Sequence, residues 1–224
     1  PVASRVYIYP NIAAYEIISQ AYPEDFISLS GQLNGLTTIP KNEDPMVNMH
    51  LAALHAFFTV GSELIFSEEK MREFQNQTYQ ALKVDGLPRR VLKSSMSYGG
   101  RVANHILKWA DGDHYKETRT DFKYSIRSQP QYWKPTPPDY MEGIEPHWDK
   151  IRTMVLDSAQ QYIPKPPLLF SMDENSLFFK ELMEVYSMGG QVENQGEDIA
   201  KFWDCNPYVS HHRGHAMFVT KKIT

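Results

Sequence analysis

Three histidines and a cysteine near the C-terminal end are the side chains best suited to hold a metal. His211 and His215 stand one helical turn apart, with His212 beside them and Cys205 upstream, so their donors could converge on a zinc ion. Such a site also needs partners that orient the imidazoles; the opposing reading is a helix start where histidines hydrogen-bond to turns. Asp111-Gly112-Asp113 opens like a calcium loop, but His114, Tyr115 and Lys116 fill the positions where further oxygen ligands belong. His50 and His55 lack the i,i+4 spacing and adjacent Glu of a zincin helix, which makes them lining or core histidines. Glu142 and Glu145 would suit a carboxylate pair for glycoside chemistry, yet the prolines around them prevent spacing from being converted to geometry. No serine stands in a Gly-x-Ser-x-Gly context, so a nucleophile elbow is excluded.

Helices must position these groups. From Ser4 to Ala21, Val6, Tyr9, Ala13 and Ile17 recur at helical spacing, with Ser4 placed to cap and Pro10 to bend the helix. Residues 23–41 carry Gly31, Asn34, Gly35 and Pro40 without a period and read as a loop. Asp44-Pro45 predicts a helix start, and Val47, Leu51, Leu54, Phe58, Leu64 and Ile65 give that helix an apolar face ending near Phe66. Ser67 with Glu68 and Glu69 opens another, to about Val84, which Asp85-Gly86 stops. Pro88 begins the longest, with Val91, Leu92, Met96, Val102, Ile106, Leu107 and Trp109 on its buried side, closing at Asp111–Asp113. Gly99-Gly100 inside it costs about 1 kcal/mol per glycine relative to alanine, and close helix packing would explain the pair.

Residues 114–131 alternate in part (Phe122, Tyr124, Ile126), predicting a short extended piece. Lys165-Pro166-Pro167 breaks the chain; Ser171 with Glu174 forms a capping box opening a helix through Met188, which Gly189-Gly190 ends. Asn194 with Glu197 repeats the device for a short helix to about Asp204, and a last helix begins near Arg213.

At 224 residues and 25.9 kDa the chain can bury a sizeable core. A net charge of -4 with dispersed basic residues gives no long-range attraction for nucleic acid or anionic membrane, and no apolar run is long enough to span a bilayer. Cys205 is the sole cysteine, so an internal disulfide framework is excluded. The sequence opens on Pro1 and closes at Thr224 inside a helical pattern, from which we expect further segments on both sides.

Between the two helical regions runs Trp133-Lys134-Pro135-Thr136-Pro137-Pro138-Asp139-Tyr140, then Gly143-Ile144-Glu145-Pro146-His147-Trp148 and Ile151-Arg152-Thr153-Met154-Val155-Leu156. Four prolines in the twelve residues 135–146 forbid a continuous helix, while the Trp, Tyr and Ile content predicts an ordered, packed crossing. With Arg5, Asn11-Ile12-Ala13-Ala14-Tyr15-Glu16, Phe178-Phe179-Lys180-Glu181, Ile199-Ala200-Lys201-Phe202-Trp203-Asp204 and Arg213-Gly214-His215-Ala216-Met217, this stretch resembles the long bacterial branch of the vanadium-dependent haloperoxidase and type 2 phosphatidic acid phosphatase superfamily.

The resemblance implies an all-α helical bundle and an oxyanion pocket in which a Lys and two Arg neutralise equatorial oxygens, one His binds phosphorus or vanadium, and a second His serves as acid or base. The signatures that carry those groups are absent from this sequence. Lys83 and Arg90 have the seven-residue spacing, but Val91 follows where proline belongs; Arg213-Gly214-His215 matches only the end of Pro-Ser-Gly-His; Ser4-Arg5 has Asn11 where His belongs.

We therefore expect one helical domain over 1–224, made of a first helical region (residues 1–132), a proline-rich crossing (133–170) and a second helical region (171–224). It would be truncated before the catalytic bundle and hold no catalytic, cofactor-binding or metal-ligating residue of its own. The resemblance implies vanadate for an intact haloperoxidase, an intact activity of halide oxidation or phosphate-ester hydrolysis, and an extracytoplasmic location. The partner would be the missing C-terminal catalytic half or another copy of the chain. The alternatives are a stand-alone helical interaction module and a metal-binding hydrolase built on His211, His212 and His215.

Overall fold

Small side chains decide where the central helices meet. Helix α2 (Met49–Leu64) carries Ala52, Ala53 and Ala56, all three buried in the core it shares with helix α4 (Arg89–Asp111). The approach is closest at Gly99, where a Cβ would lie 2.4 Å from the carbonyl oxygen of Ala52. Gly100 meets nothing nearer than His55 Nε2 at 3.9 Å. Only the first glycine of the pair is thus dictated by packing. Helix α1 (Val2–Ala21) completes the bundle with Tyr9, Ile12, Ala13 and Ile17. Each large aliphatic chain wholly buried here, such as Ile17 or Ile106, contributes about 2 kcal/mol relative to exposure.

The computed structural model describes residues 2–65, 68–137, 140, 142–143, 145–189, 196 and 198–199. Its remaining helices are α3 (Glu68–Val84), α5 (Tyr115–Thr120) and α6 (Leu177–Gly189), with short 3-10 turns at Trp148–Lys150 and Ala159–Tyr162. No strand occurs among the described residues, so the fold is all-α. Helix α3 covers a second, smaller core made by Leu51, Phe58, Tyr79 and Leu92. The chain forms two compact units, Pro1–Ile163 and Pro164–Thr224, the boundary falling within residues 133–170.

Several boundaries differ from the sequence reading, each for a local reason. Ser4 lies inside α1 and does not cap it. Asp44 caps only a single turn, its Oδ1 accepting from Met46 N at 2.9 Å, and α2 starts at Met49 because Asn48 Oδ1 accepts from Leu51 N at 3.0 Å. Likewise Ser171 accepts from Asp173 N, while Ser176, whose Oγ accepts from Phe179 N at 3.1 Å, sets the start of α6. Residues 115–120 form the helix α5, into which His114, at φ 67°, turns the chain, while the alternating positions Phe122, Tyr124 and Ile126 follow it in non-helical chain that pairs into no strand among the described residues. The crossing is packed only in part: residues 151–154 are half-buried, with Met154 against the main core, while Trp133 and Tyr140 are exposed. The segments predicted around Asn194–Asp204 and from Arg213 lie outside the described residues, apart from helical positions 196, 198 and 199.

In the unit Pro164–Thr224, none of the described residues of α6 is buried. Leu177, Leu182, Met183, Val185, Tyr186 and Met188 are exposed, and Phe170 stacks edge-on against Phe178 at 5.2 Å.

Candidate functional site

The most fully built polar cluster brings together residues more than a hundred positions apart. Arg5 and Tyr9 occupy the same face of α1, one turn apart, and meet Asp113 just beyond the end of α4. Asp113, 1% exposed, accepts from Arg5 Nε and from the Tyr9 hydroxyl, both at 2.7 Å on Oδ2, and from Tyr115 N at 2.9 Å on Oδ1. Arg152 closes the far side. Its Nη2 donates to Tyr9 Oη at 3.1 Å, its Nη1 to Trp109 O at 2.9 Å, and its backbone N to Asp113 O at 2.9 Å. The guanidinium lies over the Trp109 ring, 4.5 Å from its centroid, and Tyr9 stands edge-on to that ring at 5.1 Å.

Asn34 fastens the same region. Its Nδ2 donates to the carbonyls of Thr153 (3.1 Å) and Leu156 (2.7 Å), and its own carbonyl accepts from Trp109 Nε1 at 2.9 Å. Residues 152–156 are thus held to α1, α4 and the first loop by a clasp of partly buried hydrogen bonds.

What this cluster can do chemically follows from its charge balance. Burial, and then the hydrogen bond to the Asp113 carboxylate, push the Tyr9 phenol well above the ordinary tyrosine range. It stays protonated and is no base. The two guanidiniums bond the carboxylate, the phenol and carbonyl oxygens, leaving only Arg152 Nε among their buried nitrogens without a partner, and no imidazole is bonded into the cluster. The buried cations among the described residues therefore do not fit vanadate, which needs free cationic donors around its oxygens and an imidazole at its apex.

A second polar device is a relay on α2 and α3. Gln75 Nε2 donates to Tyr79 Oη at 3.1 Å, which leaves the Tyr79 hydrogen for His55 Nδ1 at 2.6 Å. Burial lowers the His55 pKa and raises that of Tyr79, so both stay neutral at pH 7. A cavity of about 800 Å3 opens beside Arg5, lined also by Glu63, Glu68, Lys108, Asp111 and Lys116. Most of its charges are matched internally: Arg5 by Asp113, Lys116 by Asp111, Glu68 by Arg72.

The side chains singled out in the sequence are dispersed. Asp111 pairs with Lys116, which lowers its pKa, and Asp113 with Arg5, so these two carboxylates face different cations. Glu142 pairs with Lys123 and Glu145 with Arg119. His50 meets Tyr22 Oη at 3.1 Å, apart from the His55 relay. No group of His, Cys, Asp or Glu able to hold a metal occurs among the described residues. Cys205, His211, His212 and His215 lie outside them. Sequence reasoning missed the Asp113 clasp; the single available signal was Arg5 and Tyr9 at i,i+4, because every other partner is remote along the chain.

Among solved structures, the chain is similar to one titled as the first bacterial vanadium-dependent iodoperoxidase, with a TM-score of 0.87 and 46% identity. The match covers 94% of this chain and 52% of that one. The chain thus spans about half the length of the relative, its N-terminal half. No family model matches, and no curated protein matches.

Proposed function

The chain belongs to the vanadium-dependent haloperoxidase family, and from that premise we propose that it is the scaffold half of an enzyme that oxidises halide with peroxide on bound vanadate. The reacting groups belong, in this reading, to the half of the relative that this chain does not span. One observation carries it: 46% identity over an N-terminal half, in a sequence that lacks every signature able to cradle the oxyanion.

The surface of α1 supports the same reading. A helix apolar on nearly all sides is normally covered on nearly all sides. Here Tyr9, Ile12, Ala13 and Ile17 face the bundle, while Tyr7 (68% exposed), Ile8 and, just past the helix, Tyr22 are exposed, as are Phe26 and Ile27. Exposed apolar groups at both ends of one helix suit an interface, and the remaining half of the polypeptide is the occupant we assign to them. Among the described residues no helix is long and apolar enough to cross a membrane, so these groups are not part of such a span.

The test is an activity assay on the 224-residue chain alone and combined with the remaining half, using iodide or bromide, peroxide and vanadate. The chain alone gives no turnover and the combination does; Tyr7→Glu with Ile8→Glu weakens the combination. Turnover by the chain alone overturns the proposal. Hydrolysis of an aryl phosphate by the combination, without halide oxidation, moves the assignment to a phosphatase, since one such pocket suits phosphate and vanadate alike.

A further inference from the structure

Between the last turn of α3 and the first half of α4 lies an open groove of about 610 Å3, lined by Lys83, Leu87, Arg89, Leu92, Lys93 and Met96. Leu92 is buried and Leu87 and Met96 are half-buried, so these three form its floor, continuous with the smaller core under α3. Lys83, Arg89 and Lys93 are exposed and form its rim. Across the unit Pro1–Ile163, Arg5, Arg72, Lys116, Arg119, Lys123 and Lys150 each pair with a carboxylate. None of the three rim cations does so among the described residues. Asp44 lies in the adjoining groove, where Ser94, Met46 N and Arg90 lower its pKa, and the exposed Asp85, two residues from Lys83, forms no ion pair with the rim among the described residues.

Three unpaired cations around an apolar floor, on a chain whose net charge is -4, are complementary to one kind of occupant. We propose that the groove binds a soluble anionic amphiphile, with its alkyl or aryl tail on Leu87, Leu92 and Met96 and a phosphate, sulfonate or carboxylate head among Lys83, Arg89 and Lys93. The volume is that of a single small-molecule site, and a concave groove grips one tail better than it meets a flat bilayer. Lysine and arginine are the side chains that carry such heads, arginine in bidentate fashion. The inference is independent of the halide chemistry, since it involves neither the exposed apolar groups of α1 nor the half that the chain does not span.

The experiment is titration calorimetry on the intact protein with decyl phosphate below its micelle concentration. The comparisons are inorganic phosphate, decyltrimethylammonium and vesicles of phosphatidylglycerol. Decyl phosphate binds saturably, with one site per chain, at least about ten-fold tighter than either the bare phosphate or the cationic amphiphile. Replacing Lys83, Arg89 and Lys93 together by Gln weakens it at least about ten-fold while leaving the melting temperature within a few degrees, as expected for exposed side chains. The proposal is overturned by equal binding of the cationic amphiphile, by undiminished binding in the folded triple variant, or by binding to vesicles but not to the monomeric probe.

Discussion

The α1–α2–α4 bundle and the stretch from Asp121 to Lys150 are both rich in aromatic residues, yet they use them in opposite ways. In the bundle Tyr9, Tyr98 and Trp109 are buried, whereas in the stretch Phe122 is 89% exposed and Trp133 and Tyr140 are open to solvent. A helix returns a side chain to the same face every three or four residues, so apolar groups accumulate on one side. Prolines at 135, 137, 138 and 146 deny the stretch that repetition, and among the described residues its rings meet in isolated contacts such as Tyr124 against Trp133 at 5.5 Å. Exposed ion pairs such as Lys123–Glu142 hold it. Apolar composition alone did not fix burial; periodicity did.

The sharpest way to break this contrast is to attack the clasp that joins bundle to crossing. Asp113→Ala leaves Arg5, whose side chain is 12% exposed, and the Tyr9 hydroxyl without their common acceptor. Removing one partner of a buried pair costs about 3–5 kcal/mol, and denaturant unfolding should register a loss of that order. Removing Glu142, 72% exposed opposite a Lys123 that is 79% exposed, should cost less than about 1 kcal/mol. Equal losses at the two sites would end the distinction drawn between them.

The glycine pair of α4 sharpens it within a single helix. Gly99→Ala forces a methyl onto the Ala52 carbonyl, and overpacking a helix contact costs about 1–3 kcal/mol, more than the gain in helix propensity. Gly100→Ala finds nothing nearer than His55 Nε2 at 3.9 Å and should stabilise by about 0.5–1 kcal/mol. Opposite signs at adjacent positions, read as shifts in the unfolding midpoint, are the expected outcome.

That pair also marks how far the sequence could be read. Two glycines inside a helical pattern announced a close approach but not which of them made it, because the answer depends on which face meets α2. The helix period of α1, α3 and α4 was legible from Val6-to-Ile17, Glu68-to-Val84 and Val91-to-Trp109, since local spacing carries that information. The start of α2 was misplaced because Asp44 and Asn48 are both competent caps and only Asn48 leads into a continuous apolar face. The clasp was hidden for a different reason. Asp113 looked like the start of a calcium loop, and its true partners, Arg5, Tyr9 and, through Tyr9, Arg152, stand 108, 104 and 39 residues away. His211, His212 and His215 lie outside the described residues.

Alkali should separate the two regions with a smaller effect. Burial, opposed in part by Arg101, pushes the Tyr98 phenol up to about 12, and its hydroxyl donates to Gln20 Oε1 at 2.9 Å and Pro40 O at 3.2 Å. An acid whose pKa rises on folding contributes stability that is complete below its unfolded value, about 10, and is lost as pH climbs toward the folded one. Tyr9 is raised too and acts with the same sign. Lysines such as Lys123 also lose their protons in that range, but they are exposed, and salt at about 0.5 M screens their pairs. In such a buffer the unfolding midpoint of the native chain should fall between about pH 10 and 12. Tyr98→Phe, which cannot ionise, should fall less steeply, the remainder belonging to Tyr9. Superimposable profiles would mean that the alkaline loss arises outside the bundle, and that its buried hydroxyls do not hold the first loop in place.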